Sequence, residues 1–234
     1  MTESRLVATS LLWIYRPVGL WFWSLMIFGV AIGVGVIVTV TEPRFSLWLL
    51  VAGSAAKYWL SVVGVLLVST HLRQFVATGV TRRAFLAGSA VFGLAAAWLF
   101  TLIVTTGHGI EQSLLTLTRH GPLPADYPLL SAGSAASEFF HVLPGELAFL
   151  VSGAAIAAGF YRFGPLPGLL LILPGLVPAL VAELLLGRGQ HGEPLTRFLP
   201  FGLALTLSLL ATALAAAMYQ RKLRDVAIPR PAGQ

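Results

Sequence analysis

Six apolar stretches with almost no charge inside them constrain this chain more than any other feature. They run from about Val18 to Val40, Ser46 to Val68, Ala84 to Thr105, Pro144 to Phe160, Leu166 to Leu186 and Phe198 to Met218. A helix rises 1.5 Å per residue, so about 17 to 25 apolar residues cross the ~30 Å hydrocarbon core of a bilayer. Each stretch meets that length. Composition closes off the soluble alternative: 57% of the 234 residues are hydrophobic and 10% charged, too little polar surface for a water-soluble domain of this size. The expected fold class is all-α, a polytopic protein with six transmembrane helices.

A net charge of +6 would suit nucleic acid if the basic residues formed a stripe. They sit instead at the ends of the apolar stretches, where they set topology and meet anionic headgroups, so the expected partner is the lipid bilayer and not nucleic acid. With the N-terminus inside, the cytoplasmic pieces carry Arg5, Arg16, Arg73, Arg82, Arg83, Arg162, Arg221, Lys222, Arg224 and Arg230. The outer pieces carry Arg44, Arg119, Arg188 and Arg197, together with Glu42, Glu111, Asp126, Glu138 and Glu193. That asymmetry predicts that both termini are cytoplasmic.

Three parts follow. Residues 1–17 form a cytoplasmic N-terminus with an interfacial amphipathic helix over 4–15, in which Leu6, Leu12, Trp13 and Tyr15 make the apolar side and Arg5 and Arg16 reach the headgroups. Residues 18–219 form the six-helix domain, with a cytoplasmic elbow at 70–83 and a long outer loop at 106–141. Residues 220–234 are a basic cytoplasmic tail. Trp21 and Trp23 fit an aromatic belt at the start of the first span. No small-x-small pattern precedes that span, so a cleaved signal is not expected. Pro167, Pro174 and Pro178 predict a kinked or locally unwound fifth span, because each removes a helix hydrogen bond.

Lys57 falls near the middle of the second stretch, where an ammonium costs about 3 kcal/mol. It must face a partner or a wet cavity, and Glu146 and Glu183 are the available counter-charges. A structural ion pair and a substrate-contacting charge are both open readings. In the outer loop, His108 with Glu111 and Glu138 with His141 each place an imidazole and a carboxylate on one helix face. Two such pairs in a polar loop read as solvated residues before they read as a metal site, and no metal is expected. The chain has no cysteine, which excludes disulfides and thiolate ligands. It also lacks a G-x-S-x-G elbow, an H-E-x-x-H helix and a phosphate loop of the G-x-x-x-x-G-K-[ST] type. No catalytic residue is expected, and any ATP hydrolysis must reside in another chain.

The stretch His71 to Gly93, HLRQFVATGVTRRAFLAGSAVFG, joins the second span to the third. Gly79 can end a helix in the left-handed conformation, and Thr81 can cap the next by accepting from its first-turn amides. With Arg73, Arg82 and Arg83 the elbow belongs on the cytoplasmic side. A second turn, Tyr161-Arg162-Phe163-Gly164, lies on the same side.

These two turns, the six spans and the N-terminal helix resemble the membrane subunit of an ABC exporter, the six-helix type 2 ABC transporter permease. The resemblance implies an elbow that docks on a separate ATPase subunit carrying ATP and Mg. It also implies a second permease copy or homologue completing the pathway, export of an amphipathic or hydrophobic compound, and residence in a bacterial plasma membrane. A different class of function, a scaffold or sensor that binds a cytoplasmic partner through the elbow and moves nothing, would use the same residues. The sequence departs from the type 2 pattern in its long outer segment after span three and its short one after span five.

Overall fold

The computed structural model describes residues 2–41, 44–118, 127–128, 131–187 and 199–224, with Ala132 and Arg224 described by backbone alone. Glu42, Arg119, Asp126, Arg188, Glu193, Arg197, Arg230 and most of the 220–234 tail lie outside the described residues. Among the described residues helix is the only regular structure, and six helices are long and apolar enough to cross a membrane. They are α1 (Glu3–Val40), α2 (Leu49–Ala77), α3 (Arg82–Leu117), α4 (Ala132–Phe163), α5 (Pro165–Leu186) and α6 (Phe201–Arg224). The chain is thus a six-span, multi-pass architecture.

Two expectations about boundaries are corrected. The interfacial helix over 4–15 is not a separate element, because α1 continues through Pro17 without a break. Pro17 cannot donate to the Trp13 carbonyl, but Val7 and Leu11 are fully buried and α1 packs against α3. That packing holds the helix together across the missing bond. Nor does Trp23 sit in a lipid-facing belt. It is buried beside Trp48 and Phe100, while Trp21 is exposed.

The second correction concerns 106–141. Residues 106–117 and 132–141 are helix and not polar loop: α3 runs on to Leu117, and α4 begins at Ala132 under a Ser131/Ser134 capping box. The fourth span therefore starts about three turns before Pro144, which lies inside the helix. Likewise α2 extends past Val68 to Ala77.

Helix α4 is the centre of the bundle, packed against α2, α3, α5 and α6. Its closest approach is to α2, where two glycines face each other's backbones. A Cβ on Gly64 would lie 2.1 Å from the Leu150 carbonyl oxygen, and one on Gly153 would lie 2.0 Å from that of Ser61. Small residues at such crossings let membrane helices pack through backbone contact.

Helix α2 opens on a π-helical turn, Leu49–Gly53, and carries a second, Leu67–His71, ahead of its last six residues. Helix α5 breaks once, at Leu171, just ahead of Pro174. Pro178 leaves its helix unbroken, and the next amide, Ala179 N–H, donates to Ser152 Oγ of α4 at 3.2 Å. The kinked or locally unwound fifth span that its prolines predict takes the form of one break, at Leu171.

Candidate functional site

At the basic end of the bundle, the two turns singled out in the sequence come together. Gly79 has φ +91° and ends α2. Thr81 Oγ1 accepts from Ala84 N–H at 3.2 Å and donates to Glu3 at 3.1 Å, tying the start of α1 to the start of α3. Gly164, at φ +81°, separates α4 from α5, and Pro165 opens the new helix. The Arg73 guanidinium lies 5.2 Å from the Tyr161 ring centroid, a cation–π contact between the two turns. Arg82 reaches the Leu223 carbonyl at 3.5 Å, and Arg162 donates to the Lys222 carbonyl at 2.9 Å while lying over Phe163. These carbonyls lie near the described end of α6, so Arg82 and Arg162 tie the two turns to that helix, whereas Arg83 is exposed.

Lys57, Glu146 and Glu183 also converge. Lys57 Nζ lies 2.5 Å from Glu183 Oε1, and the side chains of this pair are 23% and 35% exposed. Glu146 is fully buried with neither carboxyl oxygen hydrogen-bonded. Counting 1.5 Å per residue from Arg73, Arg162 and Pro165, the three lie about 24 to 27 Å from the basic end. Along α2, Lys57 lies eight residues from Leu49 and twenty from Ala77, nearer the end away from the arginines, because the helix continues nine residues beyond Val68.

The far end holds a buried polar network that the sequence did not disclose. Glu111 is held by Ser46 Oγ, by Trp48 N–H at 3.1 Å and by Tyr127 OH at 3.0 Å. His108, fully buried, pairs through Nδ1 with Glu138 at 2.9 Å and through Nε2 with the Pro128 carbonyl at 2.9 Å. Both nitrogens face oxygen atoms. The expected pairs within one helix face are replaced by pairs between helices. His141 instead stacks on Phe201 at 4.2 Å. Among the described residues, no group of three or more His, Asp or Glu side chains is placed to hold a metal ion. Ser46 and Tyr127 carried no sequence signal, since a serine before a span and a tyrosine in a connection are common. His71 was likewise passed over, although it bonds Tyr15 of α1 and Gln74 at 3.1 Å each.

Burial, and after it the charge of Glu111, hold the Tyr127 phenol above the ordinary tyrosine range. A raised pKa in the folded state means stability that is complete below the ordinary value, about pH 10, and lost as pH rises beyond it. Thermal unfolding in detergent from pH 8 to 11.5 should show wild type more stable than Tyr127→Phe below pH 10, with the gap closing above it. A gap independent of pH would remove Tyr127 from the network's energetics.

Comparison of the chain with protein-family models, with curated proteins and with solved structures finds no match.

Proposed function

We propose that the chain is the membrane-spanning permease subunit of an ABC-type exporter, powered by a separate ATPase subunit that binds ATP and Mg. One observation carries the reading. Helix α2 stays helical from the arginine turn at Ala77, through its π-helical turn at Leu67–His71, back past Lys57 to Leu49, so a push on the turn reaches the intramembrane charges about 30 Å away along one helix. In this reading the basic end is cytoplasmic, both termini lie there, and the membrane is a bacterial plasma membrane. Arg73, Gly79, Thr81, Arg82 and Arg83, with Tyr161 to Gly164, form one docking face on which the ATPase rests. A second permease copy or homologue completes the pathway, and the cargo is amphipathic or hydrophobic.

A scaffold or sensor without transport is the second reading. It is favoured by the engagement of Arg82 and Arg162 with α6, which gives these arginines a structural task. Co-purification from native membranes in mild detergent separates the two. An ATPase subunit in equal amount, with turnover that depends on this chain, supports the permease; a non-ATPase partner supports the scaffold.

Arg83→Glu should abolish that coupling while leaving the unfolding temperature unchanged, because the side chain is exposed. Arg162→Ala should cost about 1 kcal/mol through the lost hydrogen bond to the Lys222 carbonyl of α6. Normal coupling in Arg83→Glu would take the elbow out of the docking face.

A further inference from the structure

We infer that Lys57, Glu146 and Glu183 form an intramembrane site for a monovalent cationic amphiphile, at which one cation binds as one proton leaves. This rests on the reading of the chain as a transport subunit and names the class of its cargo.

Charge counting comes first. Three helices bring two carboxyl groups and one ammonium together, so full ionisation leaves one negative charge without a counter-ion. Lys57 is committed to Glu183 at 2.5 Å. Glu146 is fully buried, and both of its oxygens lack a partner. An ionised carboxylate without a partner is not stable in such surroundings, so Glu146 either holds a proton or meets a cation.

Lys57 is the cation within reach. Its stem lies against α4 at Gly145, the residue beside Glu146: a Cβ there would be 3.4 Å from Lys57 Cε and 4.0 Å from Nζ. The absent side chain leaves the lysine a bed along α4 between its two carboxyl groups. The exposures of the three residues set an order of events. Glu183 and Lys57 open onto the outer surface of the bundle, whereas Glu146 is sealed. An arriving organic cation therefore meets Glu183 first. Lys57, displaced, moves to Glu146, and the Glu146 proton departs. Charge is conserved at each stage, and no bond other than that O–H is broken.

Of the other ionisable groups, Tyr58 of α2 packs edge-on against Phe149 of α4, one turn from Glu146, and the rest are placed apart. Lys57 of α2 and Glu183 of α5 are the charges that act on Glu146. On α4 itself, His141 and Glu138 lie one and two turns farther out, the first stacked on Phe201 and the second paired with His108. The ionisable residues of α3 are Arg82 and Arg83 at its start and His108 and Glu111 near its end; those of α6, Tyr219, Arg221, Lys222 and Arg224, are in its final turns. His71 of α2 is bonded to Tyr15 and Gln74.

The test is titration calorimetry of tetraphenylphosphonium into the full-length chain in lipid nanodiscs, at pH 6 and pH 8. Two buffers of different ionisation enthalpy read the protons released. Wild type should bind saturably, release about one proton per cation at pH 6, and bind more tightly at pH 8. Glu146→Gln should release none, and Glu183→Gln should bind about tenfold or more weakly, having lost a charge-assisted contact. Absence of saturable binding, zero protons released by wild type, or an unchanged proton count in Glu146→Gln would overturn the proposal. Where Glu146→Gln fails to fold, wild-type affinity in Glu183→Gln overturns it equally. No ATPase enters these measurements, so failure of the cation site and failure of the permease reading are told apart.

Discussion

Gly153→Ala should separate α2 from α4 and lower stability by about 2 to 3 kcal/mol. The new Cβ would lie 2.0 Å from the Ser61 carbonyl oxygen and 2.8 Å from its carbon. These are backbone atoms, so no side-chain rotation relieves the clash and a helix has to move. Overpacking of a tight core costs about 1 to 3 kcal/mol, and a contact with no flexible partner belongs at the upper end. Gly64→Ala should cost as much, its Cβ meeting the Leu150 oxygen at 2.1 Å and the Ala154 nitrogen at 2.9 Å. The double variant should cost less than the sum, since helices parted by one methyl already have room for the other. Gly29→Ala and Gly35→Ala, with nothing within 4 Å of the added carbon, should be neutral or slightly stabilising, because alanine is the better helix former. Thermal unfolding in detergent ranks the four. Wild-type stability in Gly153→Ala would show that α2 and α4 do not meet backbone to backbone.

The same helix pair shows what the sequence could and could not disclose. Hydropathy finds spans because it registers residues that lipid would accept, and the six helices are where the apolar runs lie. It does not register polar residues that other helices satisfy. Thus Ser69 to Gln74, polar by composition, continue α2 as helix, and His108 to Leu117 continue α3 where a solvated loop was expected. Position follows from length, so an apolar run ending at Val68 centres on Lys57, whereas a helix reaching Ala77 leaves Lys57 nearer its Leu49 end. Local turn chemistry was more legible. Gly79 and Thr81 occupy the left-handed and cap positions that their residue types require, because those choices depend on a few adjacent residues. Pairing between helices depends on rotation and register. Neither Lys57 with Glu183 nor His108 with Glu138 could be chosen over alternatives before the packing of α4 was known.

The largest loss should come from breaking the far-end network one side at a time. Glu111→Ala leaves Ser46 Oγ, Trp48 N–H and the Tyr127 hydroxyl without their common acceptor. Unsatisfied buried donors cost about 1 to 3 kcal/mol each, so with partial relaxation the total should reach about 3 to 5 kcal/mol. His108→Leu and Glu138→Leu should each cost a similar amount, because each strands one member of a buried hydrogen-bonded pair, while the double substitution recovers much of the loss by removing both polar groups. Recovery is the discriminating result, since two merely bulky replacements would add. If the two carboxylates and the imidazole instead served a bound metal, the double variant would stay as unstable as either single one, and a chelator would lower the wild-type unfolding temperature to match. With protein partners filling both nitrogens of His108 and both oxygens of Glu111, unfolding of wild type should be unaffected by EDTA.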